Sequence, residues 1–452
     1  MKTIIVLLLI LFNSYLSNSQ IMVKPLPEKG FEKRIKSYID NLKIVDTHEH
    51  LLFPAKISEW TSLDFMLLLS AYSKDDIISS GMSASVFNSL KKDSLSINKK
   101  WELIKPYLDK SFNTAFCRNA LIASKQLFGI DEFDESTVTA LSEKIKKAYQ
   151  SDNWFYEVLD KSKIEYVIQD GFWVPGGGPR EFKGNKFRYV ARFDDFVSIL
   201  GSGDINNLAN KNNTRIESFD DLLKAFDFAF ESAVQKGIVG IKCGVAYSRI
   251  LYFGNVPKKR AEEIFTMIMT KPAGYTFEDV KPLQDYMLHR IIEKANDYKF
   301  PVIFHTGLQT GQGNIIENSK PTLLINLFKQ YPEVKFVIYH GGYPYGGELT
   351  TLAKNFPNVF IDLCWLYIIS PSYAERYLNE CLETVPANKI MGFGGDFRNV
   401  ECTFAHLYFA RQVISKVLID KVQSGYFSEK EGKKVASMIL YDNAIDFYKL
   451  KK

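Results

Sequence analysis

The sequence predicts an α/β chain folded as a (β/α)8 TIM barrel with a large helical insertion between its first and second strands. Three observations carry this. Eight short runs rich in Val, Ile and Phe recur, each followed by Gly, Pro or a polar residue, and amphipathic segments lie between them. Near-continuous apolar strands alternating with helical patterns imply a parallel sheet covered on both faces. Eight such units imply a barrel, which can exceed about 400 residues when loops carry insertions. At 452 residues and 46% hydrophobic composition the chain can bury a sizeable core, and one barrel with additions is expected rather than three domains.

In chain order, Met1 to Gln20 holds one Lys, an apolar run from Ile4 to Phe12, and Ser17 and Ser19 before Gln20. The run is too short to span a bilayer and has the order of a secretory signal. Residues 1–19 are therefore expected to be removed, leaving 20–452 as an exported protein, periplasmic or extracellular, with no membrane span.

The first strand, Ile44–His48, runs into His48 and His50. Alternate side chains leave the same face of a strand, so both imidazoles can converge on one metal ion. Two histidines on one face also occur in ordinary polar networks, so the reading needs distant ligands of the right type.

Residues 51–163 follow, with helical patterns near Ser58–Ser70, Trp101–Lys110 and Thr137–Leu159. A loop leaving the carboxyl end of a barrel strand lies over the mouth, where active sites of this fold are built. The segment is expected to be a cap that shapes the substrate pocket; the alternative is an extension packed on the barrel's flank.

The second to fourth strands are expected at Ile164–Asp170, Phe187–Phe193 and Ile238–Val245, with Pro175 to Pro179 the strongest local breaker. The remaining four are Pro301–Thr306, Lys335–His340, Asn358–Cys364 and Ile390–Asp396. Apolar repeats at i, i+3, i+4 over Pro321–Phe328 and Ala405–Ile419 predict connecting helices.

Three of these strands supply what the first one needs. His305, His340 and Asp396 each fall where a strand gives way to the rim facing the pocket. Imidazole and carboxylate together suit Zn²⁺ or a similar divalent ion, and a set with an open position is catalytic rather than structural. Water activated at such a centre can attack a polarised electrophile.

Asp46-Thr47-His48-Glu49-His50, His305, His340 and Gly394-Gly395-Asp396 in this order resemble the amidohydrolase superfamily of metal-dependent barrels. Pro357 to Asp362 and Asp442-Asn443-Ala444 are similar to its amidohydrolase-related (amidohydrolase 2) branch. The resemblance runs from Lys43 to about Leu450, excluding the insertion. It implies a metal held by His48, His50, His305 and Asp396, with His340 beside it to orient water or substrate, and with Asp396 also taking a proton from the attacking water. Two-metal relatives place a carboxylated Lys or a Glu on the fourth strand. Here that position is Lys242, which could bridge metals, anchor an anionic substrate or pair with Glu231 or Asp362. One ion, most simply zinc, is expected rather than two.

Arg249 and Arg398, with Lys242, are the expected grips for a substrate carboxylate, as is Arg180. Trp173, Tyr247 and Trp365 are candidate pocket walls. His289 and His406 are expected to be packing or surface residues. Five scattered cysteines, Cys117, Cys243, Cys364, Cys381 and Cys402, give no disulfide framework. Net charge is +5 from 57 basic and 52 acidic residues, without a basic stripe, so a nucleic-acid partner is unsupported. Lys91-Lys92 and Lys144 to Lys147 are expected on solvated helix faces.

The leading expectation is a hydrolase of a small molecule, at an amide, lactone or ester bond; a homo-oligomer is compatible with it. A metal-dependent decarboxylase or uronate-isomerase-like enzyme is the second class, and a non-catalytic metal-binding barrel the third.

Overall fold

The computed structural model describes residues 28–151, 153–170, 182, 184–271 and 274–451. The expected signal segment, Trp173, Arg180 and the breaker at 175–179 lie outside the described residues. Eight strands, β1 (Ile44–Glu49), β2 (Ile164–Asp170), β3 (Phe187–Arg192), β4 (Gly240–Cys243), β5 (Val302–Phe304), β6 (Phe336–Ile338), β7 (Val359–Asp362) and β8 (Ile390–Met391), form one sheet in chain order. Every neighbouring pair is parallel, as with Lys242 opposite Ile303 and Val337 opposite Phe360. Loop backbone bridges the seam between β8 and β1: Thr47 N donates to Phe393 O at 3.1 Å, Asp396 N to His48 O at 2.8 Å and His50 N to Phe397 O at 3.1 Å.

The period of two sorts the side chains. Val45, Ile168, Val190, Ile303, Val337 and Met391 belong to the cluster inside the barrel, joined by Ala444, Ile445, Tyr448 and Leu450 of the C-terminal segment. Ile44, Val167, Ala191, Ile241, Val302, Phe336, Ile361 and Ile390 face the outer helices. Strands β4 to β8 are shorter than the apolar runs predict. The runs continue into buried loops, and the backbone turns left-handed at His340 (φ 66°), Trp365 (φ 63°) and Asp396 (φ 62°). Hydrophobicity marks burial there, while the ladder has already ended.

Between β1 and β2 the chain forms a series of helices from Pro54–Trp60 to Trp154–Lys161. Two predicted patterns divide, Ser58–Ser70 into Pro54–Trp60 and Met66–Leu69, and Thr137–Leu159 into Val138–Ala148 and Trp154–Lys161; the third falls within Ile97–Ser111. These helices share their own apolar cluster, including Ile57, Phe65, Phe87, Trp101, Ile104 and Leu141, which packs on Trp365, Phe397, Cys402 and Ala405. Trp154 Nε1 donates to Glu401 Oε1 at 2.7 Å, and Asn119 Nδ2 to Cys402 O at 3.1 Å. Among the described residues no helix is long and apolar enough to cross a membrane. All five cysteines are free and buried.

Candidate metal centre

His48 and His50 leave the same face at the end of β1, as the i, i+2 spacing requires. Both Nε2 atoms stand 3.3 Å from Asp396 Oδ1. The His50 ring is fixed by its Nδ1–H, which donates to Asp170 O at 3.0 Å. Nε2 then carries the lone pair, and it is turned toward the shared point.

A second pair lies alongside. His305 Nδ1 is 2.9 Å from His340 Nε2, while His305 Nε2 is 3.0 Å from Leu308 O and His340 Nδ1 is 3.3 Å from Cys364 O. A carbonyl only accepts, so each ring spends its N–H outward and the two inner nitrogens face each other as bare lone pairs. A cation resolves that repulsion. Burial also pushes the His48 imidazole down to about 4, and those of His305 and His340 well below the usual range, so the rings are neutral ligands. Burial opposes ionisation of Asp396, but His48 and His50 hold its carboxyl well below the usual carboxylate range. The donor set therefore fits a divalent ion by its chemistry as well as its convergence.

Groups of potential ligands drawn close together are His48, His50 and Asp170, and His48, His340 and Asp396. Asp170 was not singled out by sequence, although it ends β2. Its carboxylate is taken up by Arg192, whose Nε lies 2.8 Å from Oδ1, so its role is to hold His50 through its carbonyl.

The left-handed turn that carries Asp396 is held from beneath. Asp46 Oδ1 accepts from Gly395 N at 3.0 Å, Glu49 Oε2 from Phe397 N at 2.7 Å, and His406 Nδ1 donates to Gly395 O at 3.0 Å. The hydroxyl of Tyr72, on the insertion, donates to Asp396 O. Asp46 and Glu49, which the motif around His48 contains, and His406, expected only to pack, are thus positioning groups. His289 packs as expected, between Tyr331 Oη at 2.7 Å and Gly254 O at 3.0 Å.

The three expected anion grips part company. Arg398 lines a cavity of about 590 Å³ together with His48, His50, His305 and Asp396. Arg249 does not: its guanidinium is enclosed, with Nη2 2.6 Å from Asp285 Oδ1 and Nη1 3.0 Å from Gln284 Oε1. Helix packing between Phe277–Asp297 and the loop after β4 turned it away, a pairing invisible in local sequence. Lys242 is buried, its Nζ 3.7 Å from the centre of the Tyr339 ring and without a hydrogen-bond partner among the described residues. Glu231 is instead beside Lys294 and Tyr298. Burial lowers the Lys242 amine to about 8. Tyr247 and Trp365 line the cavity as expected, joined by Trp60, Tyr72, Lys74, Asp75 and Lys91 from the insertion. Lys91 therefore departs from the solvated helix face that its sequence suggested.

The amidohydrolase family model matches residues 272–450. Protein fluG of Emericella nidulans is 30% identical over an alignment of 252 residues that covers 52% of this chain and 29% of that protein. The chain thus spans under a third of that relative's length. A uronate isomerase from Thermotoga maritima superposes with a TM-score of 0.76 at 16% identity, covering 96% of this chain and 99% of the other. A putative metal-dependent hydrolase from Lactobacillus casei does so with 0.66 at 18%, covering 92% and 97%. At these identities the two structures share the fold alone.

Proposed function

We propose that this chain is a metal-dependent hydrolase of a small molecule, of the amidohydrolase type whose family model matches residues 272–450. The observation that carries the reading is the approach of the His48 and His50 Nε2 atoms to Asp396 Oδ1, each at 3.3 Å, in the wall of a cavity at the carboxyl ends of the strands. His48, His50 and Asp396, with His305 adjoining, would hold one ion, zinc by its nitrogen-rich donor set. When bound, such an ion supplies Lewis-acid polarisation and lowers the pKa of water.

The protein's own groups do the rest. Asp396 Oδ2, facing His340 Nδ1 at 3.8 Å, is assigned the proton from the attacking water. His340 and His305, neutral and fixed through Cys364 O and Leu308 O, orient the reacting oxygen. Trp60, Tyr72, Trp365 and Phe397 wall the cavity against bulk water, which makes the insertion a cap in this reading.

Isomerisation of a sugar acid is the second reading, favoured by Arg398 in the cavity wall. The double variant His48→Ala/His50→Ala tests the centre: loss of both bound metal and turnover is expected, and normal turnover in metal-free protein would sink it. Oxygen-18 from solvent appearing in the product supports hydrolysis, and its absence from a turned-over product supports isomerisation.

A further inference from the structure

The metal ligands leave one electrostatic feature of the cavity unexplained. Lys74, on helix Ser73–Ser79, Lys91, after helix Ala84–Leu90, and Arg398, after β8, all line it. Lys91 Nζ lies 5.2 Å from the Trp60 ring centre and the Arg398 guanidinium carbon 6.0 Å from it, so one indole serves two cations. The charges acting on Lys91 are Lys74 and Arg398, both of its own sign.

Two other cations, one in the cavity wall and one enclosed, are neutralised from within. Arg192, in the same cavity wall, has Asp170, and the enclosed Arg249 has Asp285. The acidic groups lining the cavity are committed elsewhere. Asp75 accepts from Thr310 Oγ1 at 2.6 Å and Gly311 N at 2.9 Å, and Asp396 faces the histidines. Three like charges gathered in a recess repel one another, and a contact with one indole offsets only part of that. An anion entering the recess removes the repulsion and gains three attractions.

We propose that Lys74, Lys91 and Arg398 form an anion subsite that holds a carboxylate or phosphate of the substrate, at the end that does not react at the metal ligands. This rests on the cavity being the substrate site. The substrate class is then a small acid, its body laid against Trp60, with two of three anchors supplied by the insertion. In hydrolysis the anchored acid fixes which bond reaches Asp396.

Titration of metal-loaded protein with D-glucuronate, D-glucose 6-phosphate and D-glucose, followed by calorimetry, tests this. At least one of the two acids should bind about tenfold or more tightly than glucose, and which acid does so separates carboxylate from phosphate. The variant Lys74→Gln/Lys91→Gln/Arg398→Gln should lose that preference with metal content unchanged, and Lys74→Arg/Lys91→Arg should keep it. Equal affinity for acid and neutral sugar, no binding of either acid, or an undiminished preference in the triple Gln variant would overturn the subsite. Failure of the metal reading is separate, because it appears as protein that takes up no metal, whatever the sugars do.

Discussion

His305 Nδ1 faces His340 Nε2 at 2.9 Å, with both rings pinned by backbone carbonyls on their far sides. With both N–H groups turned to those carbonyls the inner nitrogens are left as lone pairs, an arrangement that suits a shared cation. Replacing His340 by Asn suits the left-handed backbone there, since Asn tolerates φ of 66°. The expected outcome is a fall in turnover of about a hundredfold or more, with the ion at His48, His50 and Asp396 retained. Steady-state kinetics and metal analysis on the same preparation check it.

Metal count tests what that pair holds. One tightly held equivalent per chain is expected, measured by elemental analysis after dialysis. Two equivalents would assign the His305–His340 pair to a second ion. Lys242→Met then becomes informative: the buried amine, without a hydrogen-bond partner among the described residues, lies on β4, between β3 and β5. Loss of one equivalent in that variant would give Lys242 a part in bridging.

Gly395→Ala should damage the centre without touching a ligand. A Cβ at Gly395 would stand 1.9 Å from Glu49 Oε1 and 2.9 Å from Thr403 Cγ2. Glu49 must then move, releasing Phe397 N and the turn that carries Asp396. Destabilisation of about 1–3 kcal/mol is expected, together with weaker metal retention, by denaturant titration and chelator competition.

Arg249 gives the opposite pattern. Arg249→Met leaves Asp285 buried with Lys281 as its remaining ion-pair partner. A cost of about 3 kcal/mol in unfolding free energy is expected, while kcat and KM of the folded fraction stay as they were. A selective rise in KM would return Arg249 to the substrate.

Lys91 sets a pH dependence. Burial, then Lys74 and Arg398, push its ammonium down to about 8. It is charged below that value and neutral above it, so anion affinity at the proposed subsite should fall as pH rises through about 8. The stability term has a related sign: the folded pKa lies below the ordinary 10.5, so the cost of the charged form is present at lower pH and is relieved between about 8 and 10.5. Lys91→Arg, charged throughout, should flatten the affinity profile; an unchanged slope removes Lys91 from the subsite.

The barrel and the places of its eight strands were legible in the sequence, as were five residues that the fold brings together at the strand ends, His48, His50, His305, His340 and Asp396. Those features are local: a near-continuous apolar run writes a buried strand into six or so residues, and a polar His or Asp where the run ends marks the rim. Tertiary structure decided what lies beyond that reach. Arg249 and Arg398 look alike in sequence, yet Asp285 captures one and leaves the other in the cavity. Lys74 and Lys91 have no motif and become pocket walls only when their helices settle on Trp365 and Phe397. His305 pairs with His340 because β5 and β6 are neighbours whose ends stop level. Each outcome depends on partners brought together by packing, and packing is a property of the whole chain rather than of any short stretch of it.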